Sequence, residues 1–292
     1  MGKLVEKFQQ VRQSSGSGIG FFGRSHTAGP KARAAAIIVS LGANESAAAQ
    51  AAIKAGADAL LVTGWTPKSD LGAFTEATTG KESGGALLGV WLAEGESGGY
   101  GTLKQAQQAG ASFAIVGPDA SAHMLFEDLD HFDRVLTLDV PQDDLGLLLV
   151  RTKNLAPAQV ALLRIGLTAT AIAKMTISEY TRLKLVVESL RFPTLVTLDG
   201  APESHSVPVL ARLGFDGLVL PGAGVTADTL GAQVTALREE LERTPISHEG
   251  SESALLGGLV GIQGTGLAPQ REPQREPQRE PQREPEREPD HE

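Results

Sequence analysis

The chain has 292 residues, is 41 % hydrophobic but only 4 % aromatic, carries a net charge of −9 and contains no cysteine. The length suits one large α/β domain or two small ones. The absence of cysteine excludes disulfides, thiolate metal sites and a cysteine nucleophile, and negative charge without a basic stripe excludes the electrostatic footprint of a nucleic-acid-binding protein.

The first element is a charged amphipathic segment, Met1 to Gln13, with Leu4, Val5, Phe8 and Val11 as its apolar residues. It lacks the continuous apolar run of a signal peptide. The stretch Ser17 to Gly23 is glycine-rich but opens no obvious helix. Residues 1–30 therefore read as an N-terminal helical extension packing on the main domain, and a ninth strand at Ser17–Gly23 stays open. No stretch approaches ~18 consecutive apolar residues, so no membrane span is expected, and the expected location is cytoplasmic.

Eight apolar runs come after this extension: Ala36–Leu41, Ala59–Gly64, Leu87–Leu92, Phe113–Gly117, Val135–Val140, Val160–Ile165, Thr194–Asp199 and Gly217–Pro221. With so few aromatics these runs must build a core from Ala, Val, Leu and Ile, as in strands buried on both faces. Helical patterns separate most of them. Glu45–Ala55 is Ala-rich, Leu103–Ala109 is short, and Thr226–Arg243 is the most regular. Ile177–Leu190 spaces Tyr180, Leu183, Val187 and Leu190 as a helix would. Asp70–Thr79 and Ala120–Asp128 carry weaker helical patterns.

One junction recurs three times, as Lys54-Ala-Gly-Ala-Asp, Gln108-Ala-Gly-Ala-Ser and Arg212-Leu-Gly-Phe-Asp, each followed by an apolar run. The glycine falls at a helix C-cap, where a left-handed residue is needed. Strands alternating with helices imply a parallel sheet, open or closed. Eight units within residues 31–245 favour the closed form, a (β/α)8 TIM barrel. A dinucleotide-binding open sheet is disfavoured, because no G-x-G-x-x-G follows the first run.

After Pro245 the composition changes. Residues 246–267 are Gly/Ser-rich around one apolar island, Ala254–Ile262, and from Pro269 a Pro-Gln-Arg-Glu repeat runs towards the C-terminus. Proline at every fourth position and almost no apolar residue predict a disordered tail over 246–292. The island is either a peptide that orders on a protein partner or a strip folding back onto the barrel.

In this fold the C-terminal ends of the strands and the loops after them form one mouth, where active sites lie. Thr137-Leu-Asp139 and Thr197-Leu-Asp199 end the fifth and seventh runs, with Arg164 ending the sixth. Alternation puts Thr and Asp of each triplet on one face. Glu94 and Asp119 come after the third and fourth runs. Such an acidic ring would hold Mg²⁺ through oxygen ligands, with Asp139 and Asp199 as the metal pair. Equally, Asp139, Asp199, Arg164 and Glu94 would serve as an acid–base set, or the aspartates would simply cap helices and loops.

The turn Pro221-Gly-Ala-Gly-Val-Thr226 opens the last long helix, and Gly200 lies in the preceding mouth loop. Amides at a helix N-terminus bind anions, which makes Gly200, Gly222 and Gly224 candidate ligand-binding residues. Over Val209–Thr226 the chain resembles the phosphate-binding (β/α)8 barrels. That resemblance implies a phosphate held by the loops after strands seven and eight. It departs from them in having Asp199-Gly-Ala-Pro and Pro221-Gly-Ala-Gly in place of a double glycine and a Gly-Ser or Gly-Thr. A tight turn with Thr226 as N-cap is the alternative.

No lysine falls on an inward strand position, which disfavours Schiff-base chemistry. The six histidines form no H-x-H or H-E-x-x-H pair, which disfavours the usual barrel zinc hydrolase. Trp65 and Trp91 near strand ends are either ligand-stacking residues or core. Two functions remain. One is an enzyme, a lyase or isomerase, acting on a small anionic metabolite that is phosphorylated or carboxylated. The other is a non-catalytic barrel serving as a scaffold or binding subunit, its 254–292 segment docking a protein partner. A homo-oligomer is compatible with either.

Overall fold

A computed structural model describes residues 2–13, 31–80, 83–92, 99–140, 158–190 and 192–244. Eight parallel strands close into a barrel in sequence order: β1 Ala36–Gly42, β2 Ala59–Trp65, β3 Leu87–Leu92, β4 Phe113–Val116, β5 Asp133–Asp139, β6 Val160–Leu167, β7 Thr194–Leu198 and β8 Gly217–Pro221. Helices α1 Lys3–Arg12, α2 Ser46–Lys54, α3 Gly72–Thr79, α4 Thr102–Gln108, α5 Ala169–Ala173, α6 Ile177–Ser189, α7 Val207–Leu213 and α8 Ala227–Arg243 complete the described regular structure, with 3-10 turns at Ala122–Phe126 and Ser204–Ser206.

All eight apolar runs are strands, with ends shifted by a residue or two. Gly56, Gly110 and Gly214, the glycines of the three recurring junctions, have φ of +95°, +100° and +93°. Each turns the chain from helix to strand through the left-handed region. Ala120–Asp128 forms only the 3-10 turn, whereas α5 is a short helix that the pattern of apolar residues did not single out.

Two apolar layers result. The outer layer joins Val39, Leu60, Val90, Leu163 and Leu218 to helix residues such as Ala52, Phe74, Leu210 and Leu237. The lumen holds Ile38, Leu61, Phe113, Ile115, Val135, Leu162, Leu195 and Val219. Phe113 fills the space across the lumen because β3 offers Gly89 beside it; a Cβ there would overlap the ring. At the N-terminal end α1 closes the lumen with Leu4, Phe8 and Val11. Its Leu4 amide donates to buried Asp133 at 2.7 Å, and Arg12 pairs with Asp216 at 2.9 Å. The N-terminal extension is thus a plug on the barrel floor over residues 3–12. Ser17–Gly23, and with it the ninth-strand alternative, lies outside the described residues, as do Ala254–Ile262 and the Pro-Gln-Arg-Glu repeat.

Candidate functional site

The inward row of each strand changes character towards its C-terminal end. Two positions above the apolar lumen residues stand Ser40, Thr63, Thr137, Arg164 and Thr197, all of the inward parity. The Thr137 hydroxyl donates to the Val116 carbonyl at 2.9 Å and that of Thr63 to Leu41 at 3.0 Å. The Thr197 hydroxyl is buried and has no partner among the described residues. Trp91 is half-buried against this lumen cluster, so it stands on the inner wall below the mouth. Trp65 does not. Gly64, at φ +66°, shifts the β2–β3 register between Thr63 and Trp65, which turns the Trp65 ring into the outer layer.

Asp139 and Arg164 meet at the mouth. Their strands pair residue against residue there. The guanidinium grips the carboxylate with two bonds, Nε to Oδ1 at 2.8 Å and Nη2 to Oδ2 at 2.9 Å. The side chains remain 66 % and 39 % exposed, so the pair stands open to solvent. The bonds from Arg164 hold the Asp139 carboxyl below the usual carboxylate range. A general acid needs the opposite shift. The pairing therefore does not favour Asp139 as a general acid. Just beyond Arg164, the β6–β7 register slips between Leu163 and Leu167. Irregularities of this kind re-aim side chains next to functional sites.

The Mg²⁺ reading fits the residues poorly. Both Asp139 oxygens are engaged by Arg164, and no group of three His, Asp or Glu side chains converges among the described residues. Asp199 is exposed in the loop after β7, beside half-buried Gly200, and Asp119 is exposed after β4. Glu94 lies outside the described residues. His205 is exposed and contacts Glu203 at 3.3 Å.

The turn after β8 is tied down by hydrogen bonds within the chain. The Gly222 amide donates to the Ser40 carbonyl at 2.8 Å, and the Gly224 amide to Glu45 Oε1 at 2.7 Å. Glu45 Oε2 meanwhile accepts from the Gly42 amide at 2.7 Å. One carboxylate thus ties the end of β1 to the start of α8, and it holds an amide that the phosphate reading assigns to ligand. Gly222 is needed for packing, since a Cβ there would come within 2.8 Å of Leu41 and 3.0 Å of Val39. Thr226 caps α8 by accepting from the Thr229 amide at 3.4 Å. The turn-and-cap alternative accounts for both glycines. No local signal marks Glu45, whose partner Gly224 lies at the other end of the barrel sequence.

No protein-family model and no curated protein sequence matches the chain. Solved structures do match. Tryptophan synthase from Mycobacterium tuberculosis aligns with a TM-score of 0.56 at 16 % identity over 82 % of this chain and 98 % of that one. Thiamine phosphate pyrophosphorylase from Pyrococcus furiosus aligns at 0.52 and 14 % identity, covering 72 % of this chain and 97 % of that one. A 3-hexulose-6-phosphate synthase aligns at 0.50 and 18 %, covering 70 % and 99 %. At these identities the likeness is one of fold, a closed (β/α)8 barrel.

Proposed function

We propose that the barrel is an enzyme whose C-terminal mouth binds a small anionic metabolite, phosphorylated or carboxylated, for lyase or isomerase chemistry. The observation that carries this reading is Arg164. The strand order places it on the inward row at the mouth, and Asp139 fixes its plane from one edge. A fixed guanidinium suits the planar geometry of a carboxylate or phosphate. In this reading Arg164 holds the anion and Asp139 orients Arg164. Asp199 and Glu94 handle protons, and Gly200 contributes to holding the ligand. The Gly222–Gly224 turn supports the site through Glu45 and does not bind the anion itself. Two of the structural neighbours are named for phosphorylated compounds, which supports the ligand class by analogy of fold.

The Glu45 bridge also favours a second reading, a non-catalytic barrel, since it engages an amide that a phosphate would use. One panel separates the two. Melting temperature is followed against inorganic phosphate, sugar phosphates and dicarboxylates, with and without Mg²⁺. A ligand at a hundred times its Kd adds about 2.7 kcal/mol. The enzyme reading predicts stabilisation by at least one organic anion, lost in Arg164→Ala and partly kept in Arg164→Lys. Absence of any wild-type response to the organic anions, or responses to all of them that are unchanged in Arg164→Ala, contradicts it.

A further inference from the structure

The barrel floor, at the opposite end from the mouth, concentrates positive charge around one cleft. A cleft of about 220 Å³ opens there beside α1, lined by Lys7, Lys31, Arg33, Lys54 and Arg238 and by one carboxylate, Asp58. Asp58 is fully engaged. Its Oδ1 accepts from Arg33 Nη2 at 2.8 Å and its Oδ2 from the Ile37 amide at 2.8 Å. Lys7 is only 8 % exposed, and its ammonium donates to the carbonyls of Gly84 at 3.2 Å and Gly85 at 3.0 Å. Burial lowers the Lys7 pKa; Asp58 opposes this and Arg33 adds to it. Arg33 is 5 % exposed, and its Nη1 is buried without a partner among the described residues.

Two buried cations therefore share one carboxylate, and one guanidinium nitrogen has no acceptor among the described residues. Burying charge in this way is costly unless a counter-charge and an acceptor complete the arrangement. An anion with several acceptor oxygens would supply both. Access is built in as well. Gly56 lines the cleft at φ +95°, and a Cβ there would overlap the Arg238 guanidinium, so glycine lets Arg238 reach in. Glu242 holds Arg238 through Nε at 2.9 Å, which leaves the fork of the guanidinium towards Gly56. The exposed Lys31 stands at the rim.

We propose that this cleft is an anion site for a multiply charged phosphate-type oxyanion, held by Arg33 and Lys7 from below and by Lys31 and Arg238 from the rim. The site is independent of the mouth and of the reaction proposed there. Arginine forks match phosphate oxygens two at a time, and lysine adds compact charge. An anion bound here would also tighten α1, because Lys7 lies on that helix.

The test uses the full-length protein and inorganic pyrophosphate, with NaCl at matched ionic strength as control. Calorimetry and melting temperature are measured for the wild type, for Lys31→Gln/Arg238→Gln and for Arg164→Ala. Pyrophosphate is expected to stabilise the wild type and Arg164→Ala alike, with affinity about tenfold weaker in the double variant. Amide exchange over residues 3–12 should slow on binding in the same two proteins. If the double variant does not fold, Lys31→Gln alone, at an exposed position, is expected to weaken binding about threefold. Pyrophosphate no better than NaCl overturns the proposal. So does binding lost in Arg164→Ala yet unchanged in the floor variants.

Discussion

At the residue scale, carboxylates at the two ends of the barrel respond to their surroundings in opposite ways. Asp139 at the mouth is held ionised by Arg164, so its small contribution to stability is present above the usual carboxylate range and is lost as pH falls through its lowered pKa. Because the pair is exposed, Asp139→Asn should change stability by no more than about 1 kcal/mol. It should nevertheless weaken anion binding several-fold by loosening the grip on the Arg164 plane, which calorimetry would show as lost affinity with an almost unchanged melting temperature. Asp133 on the floor is pushed the other way by burial, despite accepting the Leu4 amide, and burial raises Asp216 too despite Arg12. The folded state then binds these protons more tightly than the unfolded chain does. Their cost to stability is present above the raised pKa and relieved as pH falls towards the ordinary carboxylate value. Melting temperature should therefore rise on acidification from neutral pH into that window. Asp133→Asn should flatten the rise; an unchanged pH profile in that variant would rule out Asp133 as its source.

At the scale of elements, the barrel was legible in the sequence because its strands repeat one signal. Three of the apolar runs, β2, β4 and β8, come after a glycine in the left-handed region that glycine tolerates best, at Gly56, Gly110 and Gly214. The mouth was legible in part. The meeting of Asp139 with Arg164 follows from counting strands, since β5 and β6 are neighbours in register. The Glu45 bridge to Gly224 was hidden because it joins residues from opposite ends of the sequence once the barrel closes. Trp65 is core because the irregularity at Gly64 turns its ring outward, which alternation alone does not show. The β3–β4 pair offers a direct test of lumen packing. Gly89→Ala forces a methyl into the Phe113 ring and should cost about 1–3 kcal/mol. Adding Phe113→Leu to that variant should restore part of the loss in urea unfolding, and simple additivity of the two losses would contradict this packing.

At the scale of the molecule, the described chain is a barrel with a closed floor and a polar mouth. Helix α1 supplies the floor. Phe8 is 2 % exposed in the lumen cluster, so Phe8→Ala should destabilise the barrel by about 3–5 kcal/mol. A much smaller loss would mean that α1 covers the floor without supporting it. The charged cleft beside α1 and the Arg164 mouth lie at opposite ends, so a ligand at either would be recognised by which variants abolish its effect. The most direct test of the mouth as a binding site is a crystal structure with the organic anion that raises the melting temperature most. That anion is expected at the C-terminal mouth, within hydrogen-bond distance of Arg164, with Glu45 still bridging Gly42 and Gly224. An anion seated in the Gly222–Gly224 turn with Glu45 displaced, and no contact to Arg164, would contradict it.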